Sequence, residues 1–217
     1  MQQRARPDVA GFLALFERFG ARASVETYLP LFHPEATLFD AGMERPITVA
    51  EIPEHIEGIL KLVPDFEMVP RRWRERGGTL FVEAGNRATL GNGSVSWPSV
   101  YCMNLEGDRV LRGRRYYDRR PLYAQLAPDL PALPDVAPGP HDWRLLALLL
   151  PDLTLELQHW AGDAELLFIE WRARASVAGS PIALGIVERV DLVAGSAPDA
   201  HSYFDTLELA NRLAVAA

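Results

Sequence analysis

An internal repeat is the sequence feature that most constrains the fold. Residues 62–126 and 149–213 align without a gap at an offset of 87, and 15 of the 65 aligned positions are identical. Leu-x-Pro-Asp at 62–65 returns at 149–152, and Leu-Phe-x-Glu at 80–83 returns at 167–170. Self-similarity at a fixed spacing is typical of a duplicated structural unit. The sequence therefore predicts two related units in one chain.

Prolines separate the two copies. Five of the thirteen residues from Pro128 to Pro140 are proline, which favours a semi-rigid extended linker. The first copy is preceded by 61 residues, whereas the second has only 141–148 before its repeat begins. We therefore expect a complete domain at 1–127, a linker at 128–140, and a truncated domain at 141–217.

The residues before the first copy show helical periodicity and capping signals. Three helices and one short strand are predicted there: a helix over 9–21 capped by Asp8, a short helix from Ser24 to about Phe32, a strand over 37–39, and a helix from Thr48 or Val49 to about Leu62.

Each copy then shows alternating apolar residues interrupted by turn signals such as Gly-Gly and Gly-Asn-Gly. This pattern predicts antiparallel strands joined by tight turns. The expected strands lie near 65–75, 79–90, 95–105 and 110–118, and again near 152–161, 165–177, 181–193 and 198–204, with a closing helix over 207–215. The predicted fold class is α+β.

Composition and charge exclude several classes of protein. The chain has 217 residues, 48% hydrophobic and 24% charged, with a net charge of −7, which argues against a nucleic-acid-binding protein. One cysteine, Cys102, excludes an intramolecular disulfide and a cysteine-only metal site. The longest apolar run, 145–150, is too short to span a membrane. We expect a cytoplasmic protein with no membrane partner.

Two segments resemble a known family. The segment 31–40, Leu-Phe-His-Pro-Glu-Ala-Thr-Leu-Phe-Asp, resembles the "LF-x-x-x-A-T-x-x-D" stretch of the SnoaL-like polyketide cyclases and ketosteroid isomerases, in the nuclear-transport-factor-2-like superfamily. The segment 113–122, with Tyr116-Tyr117-Asp118, resembles the last strand of that fold. The resemblance implies a cone-shaped curved antiparallel sheet with N-terminal helices. The repeat would duplicate it as an intrachain pseudo-dimer whose second copy lacks most helices.

The resemblance also implies a pocket on the concave side of the sheet. Asp40 matches the general base of the ketosteroid isomerases, and Arg115 and Asn86 are the other expected catalytic residues. The expected substrate-binding residues are Phe16, Phe19, Tyr28, Ile56, Leu60, Val82, Ala84, Val100, Cys102 and Tyr117.

The chain departs from the catalytic patterns of these relatives. The oxyanion-hole positions fall on Phe19 and Val100, which cannot donate a side-chain hydrogen bond. The cyclases' acid falls on Arg115, and the second carboxylate of the related limonene-epoxide hydrolases falls on Asn86. Two interpretations stay open: Asp40 is a base beside an anion-stabilising Arg115, or the two residues form an inert salt bridge.

Other charged residues recur in both copies. Glu83 and Arg87 return as Glu170 and Arg174, and we expect this face of each strand to lie between the two sheets. Asp118 returns as Asp205 at a strand-to-helix junction, which predicts an N-cap. The histidines show no metal-ligand spacing, so no metal and no cofactor are expected.

The expected function is a cofactor-independent isomerase, cyclase or dehydratase acting on an apolar, carbonyl-bearing metabolite, polyketide- or steroid-like, with Asp40 as general base. Two alternatives stay open. One is a non-catalytic small-molecule-binding or accessory protein, and the other is an interaction module with a filled cone. A further homodimer is also left open.

Overall fold

The computed structural model describes residues 5–127, 130, 143–193 and 195–216. The chain forms two compact units, Met1–Arg115 and Tyr116–Ala217. Apart from Leu130, the predicted linker at 128–140 lies outside the described residues. The domain boundaries inferred from the sequence therefore stay a prediction.

The first helix of the first unit forms where the sequence predicts it. Helix α1 spans Val9–Ala21, and the Asp8 carboxylate accepts a hydrogen bond from the backbone N–H of Gly11 at 2.9 Å. Such a cap satisfies a backbone donor that has no partner within the helix. Phe12, Phe16 and Phe19 are buried on one face of α1, which fixes that face against the sheet.

The next elements differ in length from the prediction. Helix α2 spans only Val25–Tyr28, and Ser24 and Thr27 form a capping box at its start. A 3-10 turn follows at Leu29–Leu31, and strand β1 runs from Phe32 to Phe39. Leu29 keeps helical dihedral angles (φ −56°, ψ −39°), so α2 passes directly into the 3-10 turn that contains Pro30. Strand β1 then begins at Phe32, five residues before the predicted start.

The third helix begins later than predicted. Strand β2 spans Ile47–Thr48 and helix α3 spans Ile52–Leu62. The Glu51 carboxylate accepts hydrogen bonds from the backbone N–H and hydroxyl of Thr48, both at 2.9 Å, and so ties the strand to the helix start.

Six strands form a mixed sheet in the first unit. Strands β3 (Glu67–Arg76), β4 (Thr79–Leu90), β5 (Gly93–Glu106) and β6 (Arg109–Tyr116) follow α3. The order across the sheet is β2-β1-β6-β5-β4-β3, and β1 pairs with β6 in parallel. The predicted sheet was antiparallel throughout, and that prediction was wrong for this pair, because the helical region separates β1 from β6 in sequence and hairpin geometry does not constrain them.

Direct pairing defines the face of the sheet that meets the helices. Val82 pairs with Tyr101, and Asn86 pairs with Trp97. Residues directly opposite on paired strands share a face of the sheet. The Tyr101 ring packs edge-on against Phe16 of α1 with centroids 4.9 Å apart, so this is the inner face.

The second unit contains a four-stranded antiparallel sheet and three helices. Helices α4 (Arg120–Tyr123) and α5 (Trp143–Leu149) come first, followed by β7 (Thr154–Gly162), β8 (Leu166–Val177), β9 (Ser180–Asp191), β10 (Asp199–Tyr203) and α6 (Thr206–Ala216). The strand order is β10-β9-β8-β7. The core of this unit contains Leu146 of α5, Leu209 of α6, and the strand residues Ala173 and Ile186.

The offset of 87 residues also holds in the strand register. Phe81 pairs with Cys102, and Phe168 pairs with Arg189. The register shift between Pro70 and Arg72 of β3 returns between Leu157 and His159 of β7. The two sheets therefore have the same strand register and the same register shift at equivalent positions.

A side-chain contact recurs at the same offset. Asp65 accepts hydrogen bonds from the backbone N–H and the hydroxyl of Thr89, at 2.8 and 2.7 Å. Asp152 accepts the equivalent bonds from Ser176, at 3.1 and 2.5 Å. The contact ties a residue two positions before β3 to the end of β4, and a residue two positions before β7 to the end of β8.

Within the described residues, no helix combines the length and apolar character needed to cross a membrane.

Candidate small-molecule site in the first unit

A buried ion pair lies at the end of β1. Arg115 donates from Nε to Asp40 Oδ1 at 2.9 Å and from Nη2 to Oδ2 at 2.6 Å. The two side chains are 14% and 8% exposed. The backbone N–H of Ala41 also donates to Oδ1, at 2.8 Å. Both carboxylate oxygens are therefore occupied, as expected for a bidentate arginine–carboxylate pair.

The parallel pairing of β1 and β6 creates this contact. Leu38 pairs with Gly113 and Phe39 with Arg114, so the next residues along each strand, Asp40 and Arg115, arrive side by side. The two segments that carry the family resemblance thus meet at their polar residues. The sequence interpretation in which Asp40 and Arg115 form a salt bridge describes the observed geometry.

The loop after Asp40 is held by its own ion pair. Arg45 donates to the Glu51 carboxylate at 2.6 Å, and the Met43 N–H donates to the Asp40 carbonyl at 3.0 Å. The hydrogen bond from Arg45, together with those from Thr48, lowers the pKa of Glu51 from 4.5 to about 2. These contacts fix the chain direction directly after Asp40.

Tyr101 borders the ion pair from β5. Its hydroxyl lies 3.5 Å from Arg115 Nη1, and the Arg115 guanidinium carbon lies 5.8 Å from its ring centroid. An arginine near an aromatic ring is attracted to the electron-rich ring face. Tyr101 therefore links the ion pair to the aromatic interior formed by Phe16.

His55 is a site residue that the sequence analysis did not assign. Its Nε2 atom is buried and has no hydrogen-bond partner. Burial lowers the pKa of His55 below 6.5; the charge of Asp40 opposes this shift, and the charge of Arg115 adds to it. The imidazole is therefore neutral at pH 7 and lies within electrostatic range of the ion pair.

A helical signal could have identified His55. Ile52, Ile56 and Ile59 mark the buried side of α3, and His55 lies three residues after Ile52 and four before Ile59. Residues with this spacing share a helix face. A polar residue within an apolar stripe is a candidate for chemistry, because burying it without a partner is costly.

Asn86 lies on the inner face with a fixed amide. Its Nδ2 donates to the Trp97 carbonyl at 3.0 Å and to Ser99 Oγ at 2.9 Å. Its Oδ1 and the Trp97 Nε1 are both buried without a hydrogen-bond partner. Each buried polar atom that lacks a partner costs about 1–3 kcal/mol, so such atoms in a native protein require an explanation.

The interior beside α1 is nearly filled. A cavity of about 20 Å³ lies there, bordered by aromatic and aliphatic side chains that include Phe12, Phe16, Tyr28, Tyr101 and Met103. This volume suits a water molecule, whereas sites for drug-sized ligands measure roughly 300–1,000 Å³. A metabolite would need side chains in this region to move.

Of seven other residues predicted to line the pocket, six lie in the first unit and one lies in the second. Phe19 and Tyr28 pack against each other with ring centroids 4.5 Å apart, and Val82 and Ala84 lie on the inner face. Ile56 is buried on α3, and Leu60 is half-buried on the same helix. Tyr117 is buried but belongs to the second unit.

Val100 and Cys102 do not lie on the inner face. They pair directly with Glu83 and Phe81, which alternate with the inward residues of β4. Arg114 Nη2 donates to Cys102 Sγ at 3.0 Å on this opposite side. Placing them in the pocket was wrong, because the β4–β5 register sets odd-numbered residues of β5 beside even-numbered residues of β4.

The recurring acidic and basic residues have partners within their own units. Arg87 pairs with Glu67 at 2.6 Å, and Arg72 Nε lies 3.9 Å from Glu83. In the second unit, the buried Glu170 accepts from the Tyr116 hydroxyl at 2.5 Å, and its other oxygen lies 2.6 Å from His159 Nδ1.

The second sheet differs from the first at the equivalent site positions. Ala173 stands at the repeat position of Asn86, and Ser202 at that of Arg115. Leu146, Leu150 and Leu209 pack onto its apolar face. This face is occupied by the second unit's own helices.

No family model matches the chain, and no curated protein matches it. Solved structures do. AclR from Streptomyces galilaeus is 20% identical, with 59% of this chain and 87% of that chain covered and a TM-score of 0.49. An NTF2-like protein from Burkholderia pseudomallei is 15% identical, with 52% and 95% covered and a TM-score of 0.46. A protein of ketosteroid isomerase-like fold from Catenulispora acidiphila, solved with trimethylamine, is 12% identical, with 49% and 84% covered and a TM-score of 0.45.

The element order of the first unit agrees with the resemblance found in its sequence. Two helices, a strand, a third helix and a series of long strands follow one another, and the first strand joins the sheet beside the last. This order of elements is the one that the nuclear-transport-factor-2-like resemblance implies.

Proposed function

We propose that the first unit binds a mid-sized, largely apolar, carbonyl-bearing metabolite and catalyses a cofactor-independent isomerisation, cyclisation or dehydration. The observation that carries this proposal is the neutral His55 imidazole, whose buried Nε2 has no partner and which lies near the Asp40–Arg115 pair. A neutral imidazole can accept a proton near pH 7, which is the property that general acid–base chemistry needs.

The ion pair has two possible roles in this proposal. If Asp40 is the base, it must take up a proton while both of its oxygens accept hydrogen bonds from the guanidinium. If His55 is the base, Asp40 holds Arg115 in place, and the guanidinium stabilises the negative charge that develops on the substrate oxygen. The occupied carboxylate favours His55, and Asp40 as base stays the alternative.

A non-catalytic binding or accessory protein is the second candidate. The closed Asp40–Arg115 ion pair favours it, since both oxygens of the expected base already accept hydrogen bonds from the guanidinium. Under this interpretation the ion pair only stabilises the first unit.

Proton exchange tests the two candidates without knowledge of the natural substrate. 2-Tetralone has acidic α-protons, and its deuterium uptake in D₂O can be followed by mass spectrometry. We expect the wild-type protein to accelerate uptake, His55→Phe to abolish the acceleration, and Asp40→Asn to weaken it. Glu54→Gln, an exposed change one residue away on α3, is the matched control and should leave the rate unchanged.

Native mass spectrometry then separates catalysis from retention. A small molecule that co-purifies in the same form with wild type and Asp40→Asn, without 2-tetralone exchange, would favour the binding protein. An empty protein with no exchange would contradict the enzyme proposal and leave the interaction module.

We also propose that the second unit arose by duplication of the first sheet and no longer carries the site. The shared register and the recurrent Asp65–Thr89 and Asp152–Ser176 contacts support this. Ala173 and Ser202 remove the amide and the guanidinium, so the second unit is proposed to be structural.

A further inference from the structure

Two buried polar atoms with complementary chemistry lie on neighbouring strands of the first unit. Asn86 of β4 pairs directly with Trp97 of β5, which places their Cβ atoms roughly 5 Å apart on the same face. The side chains are almost fully buried, with Asn86 3% and Trp97 8% exposed. Asn86 Oδ1 and Trp97 Nε1 have no hydrogen-bond partner.

The orientation of the Asn86 amide is fixed by its donors. Both of its hydrogen bonds run from Nδ2, to the Trp97 carbonyl and to Ser99 Oγ. A flipped amide would place an acceptor against the Trp97 carbonyl, which is unfavourable. Oδ1 is therefore the free acceptor, and the indole N–H of Trp97, the directly paired residue on β5, can only donate.

A hydroxyl group is the simplest single group with the chemistry to pair with both atoms. It donates its proton to Asn86 Oδ1 and accepts the Trp97 N–H through its oxygen. Aromatic rings pack against this position: the ring centroids of Trp97 and Phe66 are 6.0 Å apart, and those of Phe66 and Phe19 are 6.1 Å apart. An ionised group would lose its hydration in this apolar setting, whereas a neutral hydroxyl on an apolar skeleton would not.

We propose that Asn86 and Trp97 form a subsite that binds an alcohol or phenol hydroxyl of the ligand. This deepens the proposed function, and it rests on that proposal only in placing the ligand in the same interior. Trp97 and Tyr101 are four residues apart on β5, which corresponds to about 13 Å along a strand. The ligand's hydroxyl therefore lies on the order of 13 Å from the Arg115 end.

Matched aromatic probes test the subsite by binding alone. 2-Naphthol and 2-methylnaphthalene have nearly the same size and differ in the hydroxyl. Binding to the full chain is measured by calorimetry, and the five tryptophan indole N–H signals are followed by NMR. Trp97→Phe assigns the Trp97 signal, and Trp73→Phe, which alters a 43% exposed tryptophan, is the matched control.

We expect wild type to bind 2-naphthol at least about tenfold more tightly than 2-methylnaphthalene, since two buried hydrogen bonds are gained. 2-Naphthol should move the Trp97 indole signal downfield, and 2-methylnaphthalene should not. Asn86→Leu and Trp97→Phe should each reduce the preference to within about twofold, while Trp73→Phe should retain it.

Several outcomes would overturn the subsite. They are equal affinity for the two probes in wild type, no binding of either probe, or a Trp97 N–H that contacts a bound water and is unchanged by 2-naphthol. The wild-type spectra decide this even if a variant fails to fold. A retained naphthol preference without 2-tetralone exchange would contradict the proposed function alone, and exchange without the preference would contradict the subsite alone.

Discussion

Asp118 and Asp205, 87 residues apart, each accept hydrogen bonds from the starts of two helices. Asp118 Oδ1 accepts from the backbone N–H of Arg120 in its own repeat, at 3.0 Å, and of Thr206 in the other, at 3.1 Å. Asp205 Oδ1 accepts from Leu207 in its own repeat and from Arg119 in the other, both at 3.2 Å. The contact is reciprocal: within the second unit, residues 87 positions apart exchange equivalent hydrogen bonds.

Because Asp118 and Asp205 contact the same two helix starts, we expect replacing either one to destabilise the second unit. Asp118→Ala and Asp205→Ala should each lower the free energy of unfolding by at least about 1–2 kcal/mol, since each removes an acceptor from N–H groups at the starts of α4 and α6. Asp205→Ala also removes the ion pair with Arg119. The double variant should lose less than the sum, because both caps serve the same helices. Urea denaturation measures this, with the exposed Asp199→Asn as control. Strict additivity would show that the two caps act independently.

The Asp40–Arg115 ion pair predicts strong coupling. Asp40→Asn or Arg115→Met alone leaves a buried group without its partner and should cost about 3–5 kcal/mol. The double variant should be more stable than the sum of the single losses predicts. A double-mutant cycle in denaturant measures the coupling free energy. A coupling near zero would mean that the pair contributes nothing to stability.

The lowered pKa of His55 predicts a pH-dependent stability. Because the folded-state pKa lies below the unfolded value near 6.5, the unfolded state binds the proton first as pH falls. The stabilising contribution is present above pH 6.5 and is lost as pH falls through the folded pKa. We expect His55→Phe to flatten the melting temperature against pH below 6.5, relative to Glu54→Gln. Parallel curves would contradict this.

The lowered pKa of Glu51 predicts a second loss of stability at more acidic pH. Its folded pKa of about 2 lies below 4.5, so its stabilising contribution is present above pH 4.5 and is lost as pH falls toward 2. Glu51→Gln should remove that part of the acid dependence and loosen the loop after Asp40. NMR titration of the Glu51 carboxyl checks the pKa, and a value near 4.5 would show that Arg45 and Thr48 do not hold it in solution.

We expect the hydrogen bond between Tyr116 and the buried Glu170 to contribute to the stability of the second unit. Tyr116→Phe removes a hydrogen bond to a 2% exposed carboxylate and should cost about 1–3 kcal/mol. Tyr123→Phe, in a 43% exposed side chain, is the matched control and should cost under about 0.5 kcal/mol. Chemical denaturation of both variants provides the comparison. Equal losses would show that the Glu170 contact contributes no stability.

The sequence predicted the local structure of this chain well where single residues control it. Asp8 and Ser24 start their helices as expected, since a side-chain acceptor three residues from an N–H is a local requirement. For β3 to β10 the predicted boundaries lie within two residues of the observed ones, because glycine turns and alternation are also local, whereas β1 begins five residues before its predicted start.

Predictions that depended on strand register were less successful. The β4–β5 pairing puts Val82 and Asn86 on the face that meets α1, and it puts Val100 and Cys102 on the other face. A shift of one residue between paired strands exchanges the two faces of a strand, and alternation within one strand cannot detect it. The sequence analysis did not include Trp97 among the site residues for this reason, although Trp97 pairs directly with Asn86 on the inner face.

The amino-acid sequence by itself showed the internal similarity at an offset of 87 residues. It also determined the capping residues and the lengths of β3 to β10, because these depend on neighbours within a few positions. Only the tertiary structure decided which polar groups meet. Asp40 and Arg115 are 75 residues apart and become partners through one parallel strand pair. His55 and Trp97 become candidate site residues because folding buries their polar atoms without a partner, a property that exists only once the chain has packed around them.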